Sequence, residues 1–405
     1  MKYGIKFLKF GVVFAIGLIE IPIVFLLRKA NVYLFFYPGA FGHQAGNIEH
    51  IAREARAKGG NPTLVSFMKS QYIPNKALYE HHKNSGLIIV NNRFLTKILL
   101  CGFTVQKAFN KKGVIVNAFA NIGSMENVAL NFDIYTKSKV YFTFSENENK
   151  KIDSVLLKMS LTDNEFYVFQ DRNIGYHNKL YKNYTNNNHD DAGRVESIED
   201  FERASIEMKK IGIRAVRFGS NSARIKFDST IIDYPNSYRS ELGDFADLAL
   251  MERCKFFVGP NSGLYAFARS LNKPMLYCNV YPWPWMHIPM RTNSLSMPKK
   301  IWMVDEKRMM TLREMINMEK EFYYKKLMYD EGFYKSMRIE IINNSSEEIM
   351  QSVIEINSRI DGTWDGVDYK LDSILKDNIG RNSQSVLSTA FADLNKDIMG
   401  DLYKG

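Results

Sequence analysis

The run Val32–Tyr37 reads VYLFFY and has no polar position. A strand with one face in water alternates apolar and polar residues, so a run like this one is covered on both faces. Short apolar runs return along the chain at Thr63–Phe67, Leu87–Val90, Val114–Val116, Phe166–Gln170, Arg214–Phe218, Ile231–Tyr234, Phe256–Val258 and Met275–Tyr277. Stretches with helical character separate them, among them Ile48–Ala57, Ile198–Ile211, Leu242–Arg253 and Leu264–Leu271. Strands alternating with helices predict α/β architecture with a parallel, doubly wound sheet.

A chain of 405 residues is long for one such domain. The polar stretch Ser145–Lys151 reads as surface near a boundary. The expected division is a hydrophobic segment over 1–30, a first lobe over 31–160, a second lobe over 161–330 and a helical extension over 331–405. After about Lys300 the sequence is more polar and reads as helical, with Glu347–Ile360 amphipathic. Tyr176–Gly193 is a long polar loop, of a length usually tied to function or motion. Two α/β domains in tandem place ligands where strand C-termini face each other, an arrangement suited to a two-substrate enzyme.

Hydrophobic residues make up 45% of the chain and charged residues 24%, which excludes a disordered chain and a multi-span membrane protein. The net charge of +10 fits an anionic partner: a phosphorylated small molecule, an anionic membrane or nucleic acid. Basic residues do not interleave with aromatics as in a nucleic-acid module, so nucleic acid is not expected. Cys101, Cys254 and Cys278 have neither metal nor redox spacing, and an odd number forms no disulfide framework.

Phe10–Leu27 is almost wholly apolar, with Lys2, Lys6 and Lys9 before it and Arg28 and Lys29 after it. Its length is at the lower limit for a span, and Glu20 and Pro22 lie inside it. Basic residues on both flanks give no orientation by the positive-inside rule. The readings are a monotopic or re-entrant anchor, a single span, a signal peptide with a poor cleavage site, or a buried core helix.

No Walker loop, GxGxxG, HExxH, GxSxG or Asp-x-Asp sequence is present. Their joint absence argues against an ATPase, a dehydrogenase, a metallohydrolase or a serine hydrolase. Four segments remain as candidate sites. Gly42-His43-Gln44-Ala45-Gly46-Asn47-Ile48-Glu49 joins the first strand to the first helix; His43 suits a general base, with Glu49 or His50 to orient or replace it. A loop histidine bonded to backbone is the structural alternative. Gln170-Asp171-Arg172-Asn173 follows a buried strand, and the planar fork of Arg172 suits a phosphate, or else an ion pair with a local acid. Phe256–Gly263 followed by Leu264 reads as strand, turn and helix start, with Asn261, Ser262 and Gly263 at an N-terminus that offers amides to an anion or simply caps a core helix. Arg217-Phe218-Gly219-Ser220 and Asp233-Tyr234-Pro235 end two strands and could meet a base or ribose, or be turn chemistry. Pro282–His287 is an aromatic, proline-rich lip or a packed surface loop.

Taken in order, these segments resemble a family of bacterial glycosyltransferases from surface-polysaccharide gene clusters, enzymes of the two-lobed GT-B fold. The likeness runs from about Tyr33 to Met399. It rests on Gly42-His43, the strand ending in Arg172, Arg217-Phe218-Gly219 with Asp233-Tyr234, and Cys254–Gly259 leading into Asn261-Ser262-Gly263. Where the family more often has a hydrophobic residue or His, then Arg and Asp, this chain has Gln170-Asp171-Arg172. The strand-Ser-Gly-helix piece is more distantly similar to fucosyltransferase-like enzymes. The resemblance implies two Rossmann-like lobes, a nucleotide-sugar donor in the C-terminal lobe, and a lipid-linked or oligosaccharide acceptor in the N-terminal lobe. It implies no bound metal or other cofactor. It assigns catalysis to His43, Glu49 and Arg172. It assigns donor binding to Arg172, Arg217, Gly219, Asp233, Tyr234, Asn261, Ser262 and Gly263, and acceptor binding to Gly42, Gln44 and Asn47. Inversion at the anomeric carbon follows from a single displacement. An apolar segment over residues 1–30 then suits the cytoplasmic face of an inner membrane, as a monotopic or single-pass anchor. The competing functions are a nucleotide-sugar epimerase or hydrolase of the same fold, and a non-catalytic membrane-associated binding protein.

Overall fold

The computed structural model describes residues 2–111, 118–119, 134, 138–162, 165–170, 197–219, 230–281, 293–322, 331–369 and 386–404. Val114–Val116, Arg172 with its neighbours, the Tyr176–Gly193 loop, Ser220 and Pro282–His287 lie outside the described residues. The chain forms two compact units, Met1–Glu146 and Asn147–Gly405.

The first unit is built on three parallel strands, β1 (Val32–Tyr37), β2 (Thr63–Met68) and β3 (Ile88–Val90), in the order β1-β2-β3. Both faces of β1 are buried, as its sequence requires, and its side chains divide by parity. Tyr33, Phe35 and Tyr37 pack with Ile48, Ile51, Ala52 and Ala55 of a helix over Ile48–Gly59. Leu34 and Phe36 pack on the opposite face with Val24, Ile21 and Leu27 of α1 (Lys2–Lys29). The apolar segment is therefore a layer of this unit along one of its sides. A helix over Arg93–Lys111 lies against it. The two approach so closely that a Cβ on Gly17 would come within 2.7 Å of the Cys101 carbonyl oxygen, and one on Gly102 within 2.6 Å of the Glu20 carboxylate. Glu20 points into this crossing and accepts a hydrogen bond from the Gly102 amide at 2.5 Å. Burial raises its carboxyl pKa above the ordinary value.

The second unit carries a seven-stranded sheet of β4 (Phe166–Phe169), β5 (Arg214–Arg217), β6 (Ile231–Asp233), β7 (Phe257–Gly259), β8 (Met275–Val280), β9 (Leu295–Pro298) and an outer strand over Val386–Leu387. The outer strand pairs with β9, the order from there is β9-β8-β7-β4-β5-β6, and every pairing between these strands is parallel. Chain order moves outward from β4 through β5 to β6, then restarts on its other side with β7, β8 and β9. The sheet thus has a topological switch point between β4 and β7. Tyr167, Val168, Phe169, Val216, Phe257 and Val258 are fully buried in it, and Tyr167 stacks on Phe256 at 5.1 Å.

The expectation of a helical chain after Lys300 needs correction. Lys300–Met303, Arg308–Met309 and Ile339–Ile342 form a separate three-stranded sheet, with both pairings antiparallel. The signal was the period of two in Ile339-Glu340-Ile341, whose first isoleucine is buried and whose glutamate is exposed. The helix expected around Glu347–Ile360 spans Ser346–Asp361 and opens with a reciprocal Ser345–Glu348 capping box. The final segment is also not purely helical, since Val386–Leu387 supplies the outer strand of the large sheet.

Candidate functional site

The switch point is where a parallel sheet leaves a crevice, because the connections on its two sides run apart to opposite faces. Gln170 directly follows β4 there. Its backbone amide donates to the Val258 carbonyl at 2.9 Å, which fixes it beside the end of β7. Pro260 and Asn261 turn the chain into a helix over Gly263–Ser270, with Ser262 as its N-cap. Ser262 has extended backbone, and its Oγ accepts from the Tyr265 amide at 3.2 Å. The same hydroxyl donates to Oε1 of Gln170. Gln170 and Ser262, 92 positions apart, therefore meet at the switch point. The helix start beside them carries the amides and partial positive charge that favour an anion. Arg172 follows two residues after Gln170, outside the described residues.

One strand further along, the ends of β5 and β6 hold a partly buried polar cluster. Arg217 is 1% exposed, and its guanidinium lies 3.2 Å from the carboxylate of Asp233, its register partner on β6. Asn236 donates to the other Asp233 oxygen at 2.7 Å. Tyr234 is buried, stacks on Phe218 at 5.5 Å and donates its hydroxyl proton to Asp247 at 2.7 Å. Burial, followed by the Asp247 charge, raises the Tyr234 pKa far above the ordinary phenol value. Arg239 bridges Asp247 at 3.0 Å and the Gly219 carbonyl at 3.3 Å. Gly219 has φ 153°, which a side chain rarely permits. Arg217, Gly219, Asp233 and Tyr234 are thus brought together, but in a network that holds the strand ends. Gln170, Arg239 and Asp247 were not singled out from sequence. Gln170 sat within a motif already of interest, whereas nothing local marked the other two.

The Gly42–Glu49 segment lies in the first unit. Instead of an open loop, His43–Asn47 forms one π-helical turn that runs into the helix Ile48–Gly59. Such wide turns recur at functional sites. His43 is exposed, and its Nδ1 lies 3.1 Å from the Asn47 amide nitrogen. Gln44, expected at the acceptor, is wholly buried. Its amide donates to the Tyr37 hydroxyl at 2.7 Å and to the Asn75 carbonyl at 2.8 Å, and its oxygen accepts from the Asn75 amide at 3.1 Å. Glu49, expected as the reserve base, is buried as well. Its carboxylate takes Arg53 Nε at 2.6 Å and the amides of Tyr141 at 2.6 Å and Phe142 at 3.2 Å. These bonds make Gln44 and Glu49 fasteners of the fold. His50 is buried on the same helix, so His43 is the titratable side chain that the segment presents to solvent.

Among the described residues, no group of three or more His, Cys, Asp or Glu side chains could hold a metal ion. The site is defined by a parallel α/β sheet, its topological switch point and a serine-capped helix start.

No protein-family model matches the chain, and no curated protein matches it. Solved structures resemble it at low identity. The glycosyl transferase family 9 protein from Veillonella parvula is 12% identical over 75% of this chain and 95% of that one, with a TM-score of 0.40. E. coli ADP-heptose LPS heptosyltransferase II is 12% identical over 61% and 83%, with a TM-score of 0.32. The dodecameric iron-containing heptosyltransferase TibC, solved with ADP-D-β-D-heptose, is 10% identical over 64% and 61%, with a TM-score of 0.30.

Proposed function

We propose that this chain is a membrane-associated glycosyltransferase that moves a sugar from a nucleotide-sugar donor to a lipid-linked or oligosaccharide acceptor. The observation that carries the reading is the Gln170–Ser262 contact at the β4/β7 switch point. It sets a helix N-terminus beside the strand that leads to Arg172, which is the chemistry a diphosphate needs. The motif order that resembles bacterial surface-polysaccharide glycosyltransferases of the GT-B fold supports the same reading.

His43 takes the proton of the acceptor hydroxyl. That oxygen attacks the anomeric carbon, the bond from this carbon to the donor phosphate oxygen breaks, and the nucleoside diphosphate leaves. Arg172 and the amides at Ser262 and Gly263 stabilise the charge that develops on it. One displacement inverts the anomeric centre. The Asn47 amide nitrogen donates to Nδ1 of His43, which puts the ring proton on Nε2 and makes Nδ1 the atom that takes the acceptor proton once this bond opens. The missing Asp-x-Asp motif favours a reaction without a bound metal.

The test is thermal stabilisation of the full chain by ADP, UDP, GDP, CMP and dTDP, each with and without EDTA. A nucleotide at a hundred times its dissociation constant stabilises by about 2.7 kcal/mol. A shift with one nucleotide that survives EDTA supports the proposal. No shift with any favours the binding-protein alternative.

A further inference from the structure

α1 has two sides by burial but only one by chemistry. Successive helical residues turn by about 100°, and on that wheel the exposed positions of the segment fall on one side. They include Val12, Leu18, Ile19, Ile23, Phe25 and Leu26. Val12 is 52% exposed, Ile19 67%, Ile23 53% and Leu26 64%. A surface helix of a water-soluble unit carries polar residues on such a side. Here the one acidic residue, Glu20, is turned inward onto Gly102. The stretch Gly11–Lys29 has the length and mean hydropathy, 2.2, of a bilayer-crossing helix. Yet its opposite side is occupied. Phe14 meets Phe109, Gly17 meets Cys101 and Val105, and Val24 packs with Leu34 and Phe36 of the sheet. A span through these residues would carry the sheet into hydrocarbon.

Two further features set the depth. Pro22 has no amide to give the Leu18 carbonyl, and Leu18 lies on the exposed side. Water at headgroup depth supplies that donor, whereas the hydrocarbon centre does not. At the end of the helix lies a groove of about 450 Å3, lined by Phe25, Arg28, Lys29, Tyr33 and Lys58 among others. Arg28 stacks on Tyr33 and Lys29 on Phe25, so both cations are held beside the apolar side chains. Glu54 pairs with Arg28 and with Lys58, so among the described residues that line the groove or pair with its cations, Arg28, Lys29 and Lys58 stand beside one carboxylate.

We propose that α1 lies in the plane of an anionic lipid surface, with its exposed apolar side below the headgroups and the Arg28, Lys29 and Lys58 groove against lipid phosphates. This deepens the membrane part of the proposed function and is independent of the transfer step, so vesicle binding and nucleotide binding succeed or fail separately.

The test uses the full chain and vesicles of phosphatidylcholine with and without phosphatidylglycerol. Wild type binds the anionic vesicles more tightly. Ile19→Glu and Ile23→Glu abolish binding while the unfolding midpoint is kept, because both side chains face outward. Lys29→Glu with Lys58→Glu lowers anionic-vesicle affinity about tenfold or more. Tryptophans placed singly at Val12, Ile19 and Leu26 report depth through quenching by brominated lipid, measured against wild type. These positions span about 20 Å of helix. Equal, shallow depths support the in-plane placement. Depths that differ along the helix show a span and overturn it. Vesicle binding that ignores phosphatidylglycerol overturns the headgroup groove. Absence of vesicle binding, with self-association lost in Ile19→Glu, assigns the face to a second copy and overturns the lipid assignment.

Discussion

Ser262 can be altered so that its structural and ligand roles separate. Its Oγ caps the helix Gly263–Ser270 by accepting from Tyr265 and holds Gln170 across the switch point. Ser262→Ala removes the cap, a loss of about 1 kcal/mol, and lowers the unfolding midpoint by about 2–4 °C for a unit of this size. Ser262→Asn and Ser262→Asp restore the cap, since both are as good at that position as serine. The Gln170 amide can turn to donate to either. Both variants therefore unfold near the wild-type midpoint. They differ toward an anion. A carboxylate about 4 Å from a phosphate charge is repelled by about 4 kcal/mol at an effective dielectric constant near 20, close to a thousandfold in affinity before salt screening. Nucleotide titration by calorimetry should show Ser262→Asn within about tenfold of wild type and Ser262→Asp weaker by at least tenfold. Equal nucleotide affinity in Ser262→Asp and wild type would refute a diphosphate site at this helix start and leave Ser262 an ordinary cap.

Three further outcomes follow from the packing. Gly17→Ala drives a methyl to within 2.7 Å of the Cys101 carbonyl oxygen and should cost about 1–3 kcal/mol in urea unfolding, where a relaxed crossing would gain from alanine's helix propensity. Glu20, whose carboxyl pKa is raised by burial, holds its proton more tightly folded than unfolded; its stabilising contribution is complete at acidic pH and is lost as pH rises above the ordinary carboxyl value. Glu20→Gln should therefore melt above wild type at neutral pH, with the gap closing toward pH 4.5; a gap independent of pH would contradict a proton there. Arg217→Met removes the buried partner of the part-exposed Asp233 carboxylate and should cost about 1–3 kcal/mol, read as a shifted denaturant midpoint; a loss below about 0.5 kcal/mol would mean the pair is not a fastener of β5 and β6.

Much of the fold was legible because strands buried on both faces leave a mark in single residues. VYLFFY and FFVG admit few other readings, and the Pro260–Gly263 turn marks the helix start that follows. α1 was not legible in the same way. Its two sides are equally apolar, so periodicity cannot say which meets protein, and the cue is Gly17 with Gly102, whose partners lie far along the chain. Gln44 and Glu49 looked available because they are polar and close to His43. Their donors and acceptors, Tyr37, Asn75, Tyr141 and Phe142, come from other segments. The Gln170–Ser262 contact was illegible for the same reason, although both residues lay in segments already singled out. Short strands such as Val386–Leu387 carry too few residues for any pattern, and pairing with distant segments, here β9 and Tyr369, defines them.

The central claim is transfer from a nucleotide sugar, and the direct measurement is mass spectrometry of the products. The full chain is incubated with the nucleotide sugar whose diphosphate stabilises it and with a lipid-linked acceptor, in EDTA. The account predicts nucleoside diphosphate and glycosylated lipid in equal amounts, and His43→Ala that binds the nucleotide but forms neither. Free sugar or an isomerised donor, formed equally without acceptor, would contradict it and identify a hydrolase or an epimerase.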